Sequence, residues 1–539
     1  MIMSSIRKER CVRFLAGILI VWVSVFLSAQ NNNKTSKTAP AAQPPSKPAA
    51  PSPVSTPRIA PQKGPITNDP PHGPRDFKQP RPGNPPPRPE PPIPKGSIQI
   101  QLKTGSTLQK RSNGKVSDIH DAERSMDIHH SITGRTRVTV ERPDHSRIVA
   151  QRGAPGYVQR GYMHNGHAYV QRIYSYNGRS YTRFYSVYQY RGIYLNVYAP
   201  AFYYAPGFYG WADNPWYALV NYSWGWAGSP WFGYYSYYFV PSPFYSSASF
   251  WLSDYLISSD LSTDYQEQQA SPDASADVRT TYVSPALTPA VKEMIASEVR
   301  SQLVLENQEA ARNQDPDPES SGIGRPLSDS KTHVFVVGSS LDVIDSSGAE
   351  CELGAGDVLN MVSPAAPDAT SVNLVVLSSK ASHECAKSAT VAITLSDLQE
   401  MHNQMRETID QGLQELQTKQ GQDGLPAAPP SIKAAQTNSA FTRDAPSPDP
   451  NVAAEVNRQL TDASQVEKEV LAQAQQEPRP TPAPLTPIGP VTIQLGQTVD
   501  EVTASLGSPL TVIDLNSKKI FKYKDMKITF KDGKVADVE

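Results

Sequence analysis

A repeat of about twelve residues is the feature that most restricts how this chain can fold. Val158 to Tyr169 reads VQRGYMHNGHAY and Val170 to Tyr181 reads VQRIYSYNGRSY, in register and without a gap. A degenerate third copy, TRFYSVYQYRGIY, runs from Thr182 to Tyr194. That period is far below the helical solenoid units. Asn165-Gly166, Asn177-Gly178 and Arg191-Gly192 fall at matching positions. Asn-Gly supplies the positive φ that a two-residue hairpin turn needs, so each copy is one strand and one turn. The product is an up-and-down antiparallel sheet.

The sheet starts earlier. Ile98, Ile100 and Leu102 alternate with polar residues, Asn113-Gly114 is a turn signal, and Val138 and Val140 alternate again, so 97–150 reads as a β-meander. Each repeat carries an arginine, Arg160, Arg172 or Arg183, and no Asp or Glu occurs from Gln159 to Pro200. Tyr and Arg strands without an acidic partner are expected to present cation-π ladders, with Tyr174 and Tyr185, on one face. Aromatic content then rises, and 22 of the 25 tyrosines and 6 of the 7 tryptophans lie between Tyr157 and Tyr255. Gly and Pro punctuate these runs, which predicts loops and short strands packed around rings. The rings serve either as the core of a β domain poor in aliphatic residues or as a binding surface, with Trp211, Trp224, Trp226 and Trp231 the candidates.

Charge is uneven along the chain. From Ser97 to Pro200 there are 15 Lys and Arg against 6 Asp and Glu, and from Ala201 to Ser330 there are 5 against 15. Segments of opposite sign can attract one another, or the basic one can bind an anionic polymer.

The N-terminus reads as a secretory signal peptide over 1–29. Arg7, Lys8 and Arg10 precede an apolar run from Phe14 to Leu27, and Leu27-Ser28-Ala29 places the cut before Gln30. An uncleaved anchor helix is the alternative. No lipid-accepting Cys follows the cut. Residues 30–96 hold 21 prolines and read as an extended, disordered spacer.

Downstream, 97–270 is expected to form the Tyr/Trp/Arg-rich β domain, closing with a short helix over Ser249 to Leu261. An amphipathic helix over 286–312 has Thr288 as N-cap, Pro289 in its first turn, and a stripe of Val291, Ile295, Val299 and Leu303. Residues 307–331 read as a linker. A small β domain with a closing helix covers 332–421. Its helix has an apolar stripe from Leu398 to Leu416 and a capping box of Ser396 with Gln399. Cys351 and Cys385 lie in this domain, and export makes them a disulfide pair closing a loop worth on the order of 3 kcal/mol. Residues 422–490, rich in Ala, Pro, Gln and Ser, read as a disordered linker with one polar helical patch near Asn451 to Gln475.

The last module, 491–539, opens with Gly496-Gln497-Thr498 leading into Val499-Asp500-Glu501-Val502 and closes its helix at Leu506-Gly507-Ser508-Pro509. Ile520-Phe521-Lys522-Tyr523, Ile528-Thr529-Phe530 and Asp532-Gly533-Lys534-Val535 follow as strands. Thr498 with Glu501 is a capping box and Asp532-Gly533 a hairpin turn. This order resembles the SmpA/OmlA family of small outer-membrane-assembly lipoprotein domains. The resemblance implies a short helical part against a small antiparallel sheet, with a non-catalytic, protein-binding role. It departs from the family in lacking a lipid-bearing Cys and in having room for one helix instead of two.

Catalytic signals are sparse. The sequence has no Gly-x-Ser-x-Gly elbow, no phosphate-binding loop and no zinc pattern, although His120, His129 and His145 lie in the meander. No cofactor is indicated. Paired carboxylates exist, such as Asp254 with Asp260 beside Trp251, and glycoside hydrolysis needs two carboxyls in an aromatic-lined cleft, although acidic residues near Tyr are common. The fold class expected is multidomain and mainly β with α+β parts and long linkers. The function expected is a non-catalytic exported envelope or surface protein of the periplasm, outer-membrane periphery or cell exterior. It would bind an anionic glycan or an envelope protein through its aromatic and arginine-bearing faces. Nucleic acid is disfavoured by export, no transmembrane span is expected after cleavage, and the helices at 286–312 and 396–418 offer surfaces for self-association. The rival is a secreted polysaccharide hydrolase with its cleft in 200–260.

Overall fold

Asn165, Asn177 and Arg191 adopt φ of 46°, 48° and 49°, and the glycines after them lie at 81°, 73° and 81°, so these three turns have positive φ at both central positions. They join the last four strands of a ten-stranded antiparallel sheet whose strands are neighbours in chain order. Its strands are β1 (Ile98–Gln101), β2 (Thr107–Lys110), β3 (Val116–Asp121), β4 (Met126–His130), β5 (Thr136–Glu141), β6 (Arg147–Gln151), β7 (Gly156–His164), β8 (His167–Tyr176), β9 (Arg179–Tyr190) and β10 (Ile193–Ala199). The computed structural model describes residues 93–539, apart from 271–286, 313–315, 330, 363, 381–383, 433–434, 477–492 and, in the last module, 507–508, 510, 515–517 and 524–525. The segment read as a leader, 1–29, and the segment read as a spacer, 30–96, up to residue 92, lie outside the described residues.

The aromatic segment follows as β11 (Phe202–Tyr204), α1 (Pro206–Asp213), β12 (Pro215–Val220), α2 (Pro230–Tyr235) and β13 (Tyr245–Ser247). Pro206 and Pro230 each sit in the first turn of a short helix, where a missing N–H costs nothing. The segment runs directly into α3 (Ala248–Ala270), a helix about twice the length expected. α4 (Pro289–Ala311) starts as predicted, with Thr288 accepting from the Val291 amide. Its four-residue stripe is fully buried with Trp224, Trp231, Trp251 and the tyrosines of the segment in one apolar core. Most rings of 201–261 are therefore core, with Tyr217, Tyr237 and Phe244 exposed.

The stretch expected as a linker before residue 331 contains α5 (Pro318–Ser321) and α6 (Gly324–Ser328), which place Ile323 and Leu327 in the next core. That core belongs to a six-stranded antiparallel sheet of β14 (His333–Val336), β15 (Leu341–Asp345), β16 (Glu350–Leu353), β17 (Val358–Met361), β18 (Ser371–Ser378) and β19 (Thr390–Thr394). Its spatial order is β14-β17-β18-β19-β15-β16. Cys351 on β16 is bonded to Cys385. α7 (Leu395–Lys419) closes the unit, with Leu398, Met401, Met405, Ile409, Leu413 and Leu416 buried. Its cap is Thr394 with Asp397, two residues before the predicted Ser396 and Gln399 pair. No helix among the described residues is long and apolar enough to cross a membrane.

The reading of 422–490 as a disordered linker does not hold for its described part. β20 (Gln436–Asn438) pairs with β11, and α8 (Val452–Gln476) lies across the first sheet. Val452, Val456, Ala463, Val466 and Val470 meet Leu108, Ile119, Ile128, Val138, Ile148, Val158 and Ile173 in a shared core. The stripe is made of small residues among many Ala and Gln, so the segment looks polar along its length while the helical period survives. In the last module α9 (Val499–Leu506) is followed by a four-stranded antiparallel sheet, β21 (Thr511–Asp514), β22 (Lys518–Lys522), β23 (Lys527–Lys531) and β24 (Lys534–Val538). The Thr498 amide donates to Glu501 and the Glu501 amide to Thr498, which is the predicted capping box.

One contact governs the edge of the large sheet. β10 is its last strand, and the Asn403 side chain on α7 accepts from the Tyr198 amide at 2.8 Å and donates to the Asn196 carbonyl at 2.6 Å. Gln399 donates to the same Asn403 oxygen and accepts from the Ile323 amide, so two carboxamides carry the strand's bonding out to the segment before β14. An exposed strand edge is a template for other chains, and here an amide side chain takes that role. Asn403→Ala is expected to cost about 2 kcal/mol for its lost buried hydrogen bonds. Asn403→Asp should cost more, because a carboxylate cannot donate to Asn196. Urea unfolding of both variants checks the order, which a merely space-filling Asn403 would reverse or level.

Candidate functional site

Where the repeat's side chains point follows from turn parity. A two-residue turn pairs residues whose numbers sum to an odd value, as His164 with His167 and Tyr176 with Arg179. A period of twelve preserves parity. Equivalent positions of successive copies therefore fall on opposite faces of the sheet. Arg160 and Arg172 share a repeat position, yet Arg160 lies on the α8 side and bonds Asp449 at 2.9 Å. Arg172 lies on the other side and makes a two-toothed bond to Glu400 at 2.7 and 2.7 Å. A single-face ladder through all three repeats is ruled out by this geometry. The third copy carries its arginine one position earlier, which sets Arg183 directly opposite Arg172.

Two guanidinium groups side by side in a sheet repel one another. The acid-free segment is neutralised from elsewhere. Glu400 takes Arg172, and Glu407 lies 3.7 Å from Arg183. The Arg172 guanidinium stands over the rings of Tyr157 at 4.8 Å and Tyr185 at 4.1 Å, and it accordingly stays charged despite full burial. The Tyr185 hydroxyl donates to Glu407 at 2.5 Å and meets the Tyr174 hydroxyl at 3.0 Å. Tyr198 donates to Asp410 at 2.7 Å. The same pattern recurs nearer the N-terminus. Arg111 pairs with Asp342 and Glu350, and Arg135 with Asp264 at 2.7 Å and Glu352 at 2.5 Å. The basic sheet is thus matched by acids of α3, inside the 201–330 segment that charge counting singled out, and by acids of β15, β16 and α7 beyond it.

Between the sheet, α3, α7 and the loop before β15 lies a cavity of about 230 Å³. Tyr157, Tyr174 and Tyr181 form one cross-strand row along its wall, with Tyr174 and Tyr181 stacked 4.9 Å apart. α3 contributes Ser259, Asp260, Thr263 and Glu267, and α7 contributes Glu400, Gln404, Glu407 and Gln411 from one polar helix face. Asp260 is 4 % exposed, and its Oδ2 has no hydrogen-bond partner. Burial raises its pKa well above the ordinary carboxylate range, against an opposing pull from Lys380. Burial likewise raises Glu267 to about 7, offset in part by Arg135.

The tryptophans lie elsewhere. Trp224 and Trp231 are buried, and Trp224 stacks on Trp251 and Trp226 and donates its indole N–H to Tyr245. Trp226 and Trp211 are half-buried against the same core, Trp211 beside Phe208. Asp254 accepts from Lys292, Tyr245 and the Ser242 amide and does not line the cavity, so it shares no cleft with Asp260. His120 pairs with Asp127, His129 with Asp118 and Asp342, and His145 lies 3.8 Å from Glu141. Among the described residues, no three His, Cys, Asp or Glu side chains group to hold a metal ion. The cavity acids of α7 were missed by sequence reasoning. Their signal is the spacing of 400, 404, 407 and 411, a second helical stripe beside the apolar one.

Because Glu267 binds its proton more tightly folded than unfolded, it favours the folded state fully below about pH 4.5, and that contribution is lost as pH rises through about 7. Glu267→Gln removes the dependence. The variant should gain on the parent by on the order of 3 kcal/mol between pH 4.5 and 8. Urea midpoints at both pH values measure it, and a constant difference would refute it.

No protein-family model, no curated protein and no solved structure matches this chain.

Proposed function

We propose that the chain is an exported, non-catalytic envelope or surface protein that holds a protein partner in the cell envelope. The observation that carries this reading is how the arginines and rings are used. Arg172, Tyr185, Trp224 and Trp231 are buried and engaged with other parts of the chain, which removes the receptor that an anionic glycan would need. Large apolar side chains that do face outward include Tyr217, Leu219, Val240 and Phe244, on or beside the β12 and β13 ribbon. Exposed apolar surface of this kind suits a protein contact better than a polyanion. A disulfide, a proline-rich segment before the first strand and a C-terminal module resembling SmpA/OmlA domains are consistent with a spacer-mounted scaffold.

Envelopes incubated with the tagged full-length protein test this reading. Binding should survive high salt, disappear when the envelopes are first treated with protease, and fall when Tyr217, Leu219 and Phe244 are changed together to serine. Retention on protease-stripped polymer would overturn it in favour of a glycan.

A second reading, hydrolysis of polysaccharide, is favoured by one observation. Asp260 keeps its proton in a tyrosine-walled cavity that also holds carboxylates, the acid and base parts such chemistry uses. Reducing ends released by the parent protein and not by Asp260→Asn would support it.

A further inference from the structure

We propose that the cavity between the Tyr157, Tyr174 and Tyr181 wall and helices α3 and α7 binds a small organic cation, an alkylammonium or diamine. The site stands apart from the envelope-partner surface and does not depend on it. Its charge is unbalanced. Arg137 of β5 and Arg172 of β8 face Asp260 and Glu267 of α3 and Asp397, Glu400 and Glu407 of α7. Most of these are already committed. Arg172 is held by Glu400, Glu267 lies 3.8 Å from Arg135, Glu407 accepts from Tyr185, and Asp397 serves in the helix cap. Asp260 is the acid left over, buried at 4 % exposure with an oxygen that nothing bonds.

A buried carboxyl without a partner is costly to keep, and it takes up a proton when no counter-charge is supplied. Burial raises Asp260, Glu267 and Glu407 alike, against opposing pulls from Lys380, Arg135 and Arg183 respectively. Lys380 and Asp264 pull Asp260 in opposite directions, down and up respectively.

The wall also shows how a cation is held here. Arg172 sits over two tyrosine rings with carboxylate oxygens at its ends, and a ligand ammonium in the remaining space would meet tyrosine rings and Asp260 in the same manner. The volume of about 230 Å³ exceeds what a single water needs and suits a chain of several heavy atoms. A metal ion is a poorer occupant, since no three ligating side chains group among the described residues.

Titration calorimetry of the full-length protein with 1,4-diaminobutane tests the site. Saturable binding is expected, with proton release as Asp260 ionises, so affinity should rise from pH 5 to pH 8. Butane-1,4-diol, the uncharged counterpart, should not bind. Asp260→Asn keeps the shape of the side chain and leaves no charge to bury, so the variant should fold, which circular dichroism checks, and should bind the diamine at least about tenfold more weakly. Tyr181→Leu should weaken binding by a smaller factor and leave proton release intact. Equal binding of the diol, saturation by calcium with no response to diamine, or an unchanged Asp260→Asn variant would each overturn the proposal. None of these outcomes bears on the envelope binding assay, so the two readings fail separately.

Discussion

A guanidinium group can be buried only where carboxylates are brought to it, and this chain buries Arg135, Arg172 and Arg406 within sheets and helices far apart in sequence. The sheet segment around Arg172 contains no acid of its own, so its charge is a demand that local structure cannot meet. Glu400, more than two hundred positions downstream, meets it. Arg135 draws in Asp264 and Glu352, and Arg406 draws in Glu309 at 3.1 Å. Such clusters are costly to break, about 3–5 kcal/mol when one partner is removed, although replacing a whole cluster by apolar groups is often neutral. Their effect is on specificity. The arrangement of the two sheets and helices α3, α4 and α7 gives Arg135, Arg172 and Arg406 each a carboxylate, and misdocked alternatives would leave those charges in apolar surroundings.

The aromatic core plays the complementary part. With few aliphatic residues between Phe202 and Tyr245, rings supply the buried area, and their polar ends are tied off inside, Trp224 to Tyr245, Tyr235 to Asp264 and Tyr203 to Glu309. The bonds to Asp264 and Glu309 also fix the position of carboxylates that Arg135 and Arg406 use. Packing and charge pairing therefore constrain the same residues, which couples the tyrosine-rich region to the acids around it.

Elements whose signal is local were legible in the sequence. The Asn-Gly turns, the Thr288 cap, the Thr498 and Glu501 box and the Leu398 to Leu416 stripe all concern residues a few positions apart, and the structure has them. The disulfide was legible because Cys351 and Cys385 are the two cysteines beyond the segment read as a leader. What escaped depended on partners distant in sequence. α8 reads as a polar patch until the sheet face that it covers is known, and Gln399 reads as a cap until Ile323 and Asn403 are placed beside it. The cavity escaped for the same reason, since Asp260, Glu400 and the tyrosine row come from three separate elements. The expected one-faced arginine ladder failed on register, which depends on turn length and not on composition.

That register bears on how such a sheet can be lengthened. With two-residue turns and an even period, inserting one further strand would invert the face of every residue after it, sending Arg172 and Tyr185 toward the apolar α8 side. Inserting a hairpin, two copies at once, would leave all later faces unchanged. The unit that can be added without changing faces is therefore the pair of strands, and the one-residue offset of the third copy keeps Arg172 and Arg183 on the same side.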